Sequence, residues 1–156
     1  MRLYNNGIEA EHGDVLKITR RTDLVLIDIF FQSGVYSHWG IYCKEPDGGY
    51  VIHYSAPEGK GDFKGVVLKT PLEKFLDGAN KCEVMTDKYP NGFSGKETVA
   101  RAEKKIGRSN YNLWLNNCEH FAVWCKTGKH ESSQTEILKP LEKLGYAVAE
   151  TLDKIL

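Results

Sequence analysis

Apolar residues alternate with polar ones in short runs through the first half of the chain, then recur at three- and four-residue steps in the second half. That pattern predicts strands followed by helices. "GDVLKI" at 13–18 sets Val15, Leu16 and Ile18 among Asp14 and Lys17 and reads as a short strand. "DLVLIDIFF" at 23–31 is rich in β-branched and aromatic residues, and "QSG" punctuates the chain before "VYSHWGIYC" at 35–43, which predicts two further strands. The Asp-Gly step in "EPDGG" at 45–49 is a hairpin signal, so "YVIHYSA" at 50–56 is expected to pair antiparallel with "SHWGIYC". A strand at "GVVLKT", a short helix near "PLEKFL" and a strand at "CEVMTD" follow.

Helical spacing takes over from Ser94. "SGKETVARAEKKIG" opens on Ser94-x-x-Glu97, a capping-box pattern, and closes on Gly107. "NCEHFAVWCKTG" repeats the logic, with Asn117 as N-cap, Cys118 as first helical residue and Gly128 as terminator. Along residues 137–156, Ile137, Leu141, Leu144, Val148, Leu152 and Ile155 line one face of an amphipathic helix, with charges of both signs between them. Strands grouped before helices predict an α+β fold, a mostly antiparallel sheet with helices packed on one side. A main domain over 1–130 and a C-terminal helix over 131–156 packed on it describe the expected organisation.

Composition narrows the function classes. Lys plus Arg and Asp plus Glu are 21 each, so no net field draws the chain to nucleic acid, and none is expected as a partner. With 41% hydrophobic and 27% charged residues, the 156-residue chain reads as an ordinary folded domain, not a disordered one. No apolar run is long enough to span a bilayer, so contact with lipid is expected to be peripheral. The four cysteines, Cys43, Cys82, Cys118 and Cys125, form no CxxC pair, which suits a reducing, cytoplasmic compartment.

The candidate chemistry centres on Cys118. A thiol attacks as thiolate, and a helix N-terminus favours negative charge through its unsatisfied N–H groups and dipole. Cys118, Ala122 and Cys125 share one helix face, which turns the sulfur toward the sheet. A nucleophilic cysteine also needs a base, a group to orient that base, and donors for an oxyanion. His38 and His53 sit on strands that the hairpin pairs, so their imzidazoles become neighbours on one sheet face, with Cys118 expected above that face. The same residues also read as a small core cysteine and two satisfied strand histidines, and spacing alone does not choose between the two. A zinc site from Cys118, His120 and Cys125 is excluded because those positions do not converge on one helix face. Cys43, Cys82 and Cys125 read as inert thiols, and His12 and His130 as solvated.

"HWGIY" at 38–42, "YVIH" at 50–53 and "NCEHF" at 117–121, with "GDVLKI" upstream, closely resemble the lecithin:retinol acyltransferase family and its small phospholipase/acyltransferase branch. The resemblance covers roughly residues 13–126. It implies a permuted papain-like fold related to the NlpC-type cysteine amidases. It further implies that Cys118 carries the acyl group, His38 is the base and His53 is the third polar residue, with no metal and no cofactor. The implied reaction takes an acyl chain from a glycerophospholipid onto Cys118 and passes it to water, an amine or an alcohol. Tyr36 and Asn117 are supporting candidates near the oxyanion, while Glu119 and His120 belong to the motif as capping or fold support.

Two features depart from that family. The resemblance leads one to expect a hydrophobic C-terminal anchor, whereas this tail mixes Lys139, Glu142, Lys143, Glu150, Asp153 and Lys154 into its apolar spacing. The stretch 20–34 is longer than the expected link between the first two motif strands. The rival readings are a cysteine amidase or peptidase with the same nucleophile, and a non-enzymatic module that binds lipid or protein in the same groove.

Overall fold

The alternating first half becomes a five-stranded, wholly antiparallel sheet in the computed structural model, which describes residues 4–5, 8–21, 35–55, 65–109 and 118–129. A small ribbon of β1 (Tyr4–Asn5) and β2 (Ile8–Glu9) precedes β3 (Val15–Arg21), β4 (Val35–Glu45), β5 (Gly48–Ser55) and β6 (Val66–Pro71). A short helix α1 (Leu72–Leu76), strand β7 (Ala79–Val84), a 3-10 turn (Thr86–Lys88), α2 (Gly95–Glu103) and α3 (Cys118–Thr127) complete the described elements. The strand order is β6-β5-β4-β3-β7, so the central strand β4 carries "SHWGIYC" as its core. The α+β class expected from the pattern is what the chain forms. The strand expected at 23–31, the helix at 137–156 and the division at 130/131 lie outside the described residues.

Both faces of the sheet are covered, which corrects the expectation of helices on one side. Val15, Trp39, Ile41, Cys43, Ile52, Tyr54 and Val67 form one face and pack against α2 and α3 through Val99, Ala102, Phe121, Ala122 and Cys125. Leu16, Ile18 and Val51 point the other way and are closed over by Leu72 and Phe75 of α1. The physical reason is visible in "VLKI": Val15 and Leu16 are adjacent, point to opposite faces, and are both fully buried. A one-sided sheet would leave one of them in water, at about 1.5–3 kcal/mol for a side chain of that size.

Local chemistry sets the ends of these elements. The β4–β5 hairpin closes on Pro46 and Asp47, with Glu45 paired to Gly48, so the turn sits one residue earlier than an Asp-Gly centre. Proline's locked φ suits the first central position, and Asp47 Oδ2 accepts from the Tyr50 hydroxyl at 2.8 Å. Ser94 caps α2 as expected, its hydroxyl accepting from Glu97 N at 3.2 Å. The final strand, expected at 82–87, runs earlier, because Met85 turns the chain into the 3-10 segment. Between α2 and α3, the Arg101 guanidinium lies between the Phe93 and Trp124 rings and donates to the Trp124 and Cys125 carbonyls. The Trp124 carbonyl also accepts from Gly128 N at 2.8 Å, so Arg101 adds to the capping of α3 while bolting it to α2.

Candidate active site

Register brings the two strand histidines together. The β4–β5 ladder runs from Glu45↔Gly48 to Ile41↔Ile52, and His38 and His53 lie just beyond its last pair. Both side chains fall on the face of Leu16, Ile18 and Val51, since β3 pairs Ile18 with His38. Gly40 between them is what allows this: a Cβ there would meet Val51 Cγ1 at 2.4 Å and His53 Cβ at 3.2 Å. His38 Nε2 and His53 Nδ1 share a hydrogen bond of 2.8 Å, with the rings edge-to-face at 86°. The Phe75 ring lies 5.5 Å from the His38 ring and 5.2 Å from that of His53, centroid to centroid, and the histidines are each 7% exposed.

Cys118 begins α3, as the spacing predicted, and is fully buried among Trp39, Ile41, Phe121 and Ala122. The body of α3 therefore packs on the opposite sheet face from the histidines, whereas the sequence reading set the start of the helix, with Cys118, above the histidine face. Alternation is the reason: Trp39 and Ile41, which receive α3, must point away from His38. The first turn of the helix lies beside the start of the histidine segment of β4, where the Cys118 thiol donates to Ser37 O at 3.7 Å. That carbonyl belongs to the peptide leading into His38. The bond to His53 uses His38 Nε2, not Nδ1.

The other thiols are held in the unreactive form. Burial pushes Cys43 and Cys82 up to about 11 and Cys125 up to about 12; Glu45 adds to the effect at Cys43. A thiol with a pKa near 11 is thiolate in only about one molecule in a thousand at pH 8. Native-state alkylation read by peptide mass mapping should leave Cys43, Cys82 and Cys125 unmodified near neutral pH. Their labelling should climb as pH rises toward 11 and 12, because the reactive species is the thiolate. Rapid modification of Cys125 at neutral pH would contradict this assignment.

Other sequence candidates divide clearly. Tyr36 lies on β4 opposite Arg20, and its side chain is outside the described set; Asn117 and His130 lie outside the described residues. Glu119 and His120 are buried, at 4% and 7% exposure, so α3 is enclosed on more than one face. His12 is not simply solvated, because its Nδ1 accepts from Lys44 N at 3.2 Å. Cys43, Glu45 and Glu103 bring ligand-type atoms within 4.8 Å of one another, but Glu45 is already paired with Lys69. Two neighbours of the histidines escaped sequence reading: Phe75, and Thr70, whose Oγ1 is 2.9 Å from His53 Nε2. Thr70 shares its β6 face with Leu68, the cross-strand partner of His53, so a known β5–β6 register is the signal that finds it.

Comparison with known proteins identifies the family. The family model described as lecithin retinol acyltransferase matches residues 9–131. Human phospholipase A and acyltransferase 1 is 32% identical over 122 residues, covering 70% of this chain and 69% of that protein. The rat protein of the same name is 31% identical, covering 70% of each chain. Human lecithin retinol acyltransferase is 34% identical over 80 residues, 46% of this chain and 35% of its own length, so the chain spans about a third of that relative. Among the described residues no helix is long and apolar enough to cross a membrane. With its NlpC/papain-like sheet and helices and a family match over most of its length, the chain belongs to the lecithin retinol acyltransferase family.

Proposed function

We propose that this protein is a thiol acyltransferase or phospholipase A that takes an acyl chain from a glycerophospholipid onto Cys118. The observation that carries the reading is the buried 2.8 Å bond between His38 Nε2 and His53 Nδ1. Two histidines so joined at the strand end that meets the first turn of α3 suit a base and its orienting partner. Membership of the family and the names of its relatives, which are phospholipases and acyltransferases, support a lipid ester as substrate.

In the first half-reaction the Cys118 proton passes to His38 Nδ1 as the sulfur attacks the ester carbonyl carbon. His53 holds the imidazolium that forms by accepting from His38 Nε2. The oxyanion lies near the start of α3, whose first N–H groups have no partner within the helix and whose dipole favours negative charge. Collapse of the intermediate breaks the carbon–oxygen bond, His38 returns the proton to the departing lysophospholipid, and the acyl group remains on Cys118 as a thioester. Water, an amine or an alcohol, deprotonated by His38, then attacks the thioester and releases the thiol. Because Cys118 is fully buried, substrate entry requires the site to open first.

Incubation with phosphatidylcholine, followed by intact mass and peptide mapping, should reveal one acyl increment on Cys118 and release of lysophospholipid. Peptide hydrolysis without lipid turnover would transfer the site to the amidase reading. Lipid binding with neither adduct nor turnover would leave a non-enzymatic module.

A further inference from the structure

His53 joins His38 to a third polar side chain, and its two ring nitrogens face different demands. Nδ1 has His38 Nε2 at 2.8 Å and the Tyr54 carbonyl at 3.2 Å. Nε2 has the Thr70 hydroxyl at 2.9 Å. The Tyr54 carbonyl only accepts, so by itself it favours a hydrogen on Nδ1. A hydrogen there turns Nδ1 into a donor toward His38 Nε2, which must then accept. A neutral His38 in that state carries its proton on Nδ1, the nitrogen needed to receive a proton from Cys118.

The opposite arrangement suits catalysis. His38 Nε2–H donates to His53 Nδ1, His53 Nε2–H donates to Thr70 Oγ1, and His38 Nδ1 stays unprotonated, able to accept a proton. When the thiol proton lands on that nitrogen, the cationic ring still has an acceptor for its Nε2–H. This arrangement calls for an acceptor at His53 Nε2, because the ring is only 7% exposed and a buried N–H is costly to leave unmatched. Thr70 Oγ1 is the acceptor.

We propose that Thr70 is a positioning residue of this site: its hydroxyl ends a hydrogen-bond chain running Thr70–His53–His38 and places the His53 proton on Nε2, so that His38 stands ready as the base. The inference rests on the Cys118, His38 and His53 reading above and extends it to a residue on the neighbouring strand. Thr70 acts through His53 and touches no reacting atom. The β6 register supplies it: Leu68 stands opposite His53, and Thr70, on the same face, reaches back diagonally to the ring.

The test compares the wild-type protein with Thr70→Val, which keeps the β-branched shape and removes the hydroxyl, and with Thr70→Ser, which keeps the hydroxyl. Long-range 15N–1H spectra of histidine-labelled protein report the tautomer of each ring without reference to turnover. The expected result is His53 protonated on Nε2 in the wild-type and Thr70→Ser proteins, and on Nδ1 in Thr70→Val. Phospholipid turnover in Thr70→Val should fall about tenfold in kcat, the effect of one lost buried hydrogen bond, with KM unchanged and the pH profile of kcat displaced. Thr70→Ser should restore most of the rate. An unchanged His53 tautomer and rate in Thr70→Val, or an equal loss in Thr70→Ser, would overturn the proposal. Full turnover by Cys118→Ala would instead remove the underlying site reading, and the tautomer spectra keep the two failures apart.

Discussion

Cys118→Ala is expected to lower phospholipid turnover by about four orders of magnitude or more, with folding intact. The substitution removes the atom that bonds to the acyl carbon, and no described neighbour replaces it: the remaining cysteines are held as thiols by burial. Alanine is a strong helix former, and loss of one sulfur from a packed site costs about 1 kcal/mol, well within the stability of a domain of this size. His38→Gln should fall by a comparable factor, because a thiol without a base attacks only through its small thiolate fraction. The double variant should be no slower than the worse single one, since nucleophile and base act as a unit. Steady-state lysophospholipid release measures all three. Independent, multiplying losses would mean that the two residues do not serve one step.

Gly13→Ala should produce the largest stability change, a loss on the order of 4 kcal/mol. Gly13 takes φ +87, a region costly for any residue with a Cβ, and that Cβ would stand 2.2 Å from Gly95 Cα and 2.4 Å from Gly95 O. Neither obstacle is a flexible side chain that swings aside. The junction is also a crossroads: Gly13 N donates to Tyr42 O, Tyr42 N to Asp14 O, and the Thr86 hydroxyl to Asp14 Oδ1 at 2.7 Å. Moving Gly13 therefore strains β3, β4, the 3-10 turn and the start of α2 together. Gly78→Ala is the control, since Gly78 has φ +71 but nothing within 4 Å of a Cβ; it should cost only about 1 kcal/mol. Urea titration of the two variants separates backbone conformation from collision. Equal costs would mean that the Gly13–Gly95 approach contributes nothing.

The elements that were legible from sequence are those whose cause is local. The Ser94 cap, the Gly128 terminator at φ +79 and the start of α3 at Cys118 follow from the chemistry of a few neighbouring residues. The meeting of His38 and His53 was legible as well, because a tight hairpin fixes register and alternation then fixes the face. The hairpin centre was displaced to Pro46 and Asp47 without harm to that inference, since the antiparallel partner strand stayed the same.

Other features depended on which surface met which. Periodicity marks Cys118, Ala122 and Cys125 as one helix face and Trp39 and Ile41 as one strand face, but it carries no information on their pairing. Hence spacing sets the start of α3 over the histidine face, while the structure shows that the body of the helix packs on the other side. The α1 cover over His38 and His53 was likewise invisible, since Phe75 and the histidines are far apart in the chain and nothing local joins them. Strand type, caps and the neighbouring imidazoles are properties of short stretches of chain and are written there. Thr70 against His53, Cys118 against the Ser37 carbonyl and Gly13 against Gly95 are contacts between distant segments. Dense packing of a two-faced sheet decides them, because burying both alternating sets of side chains permits few arrangements of the covering helices.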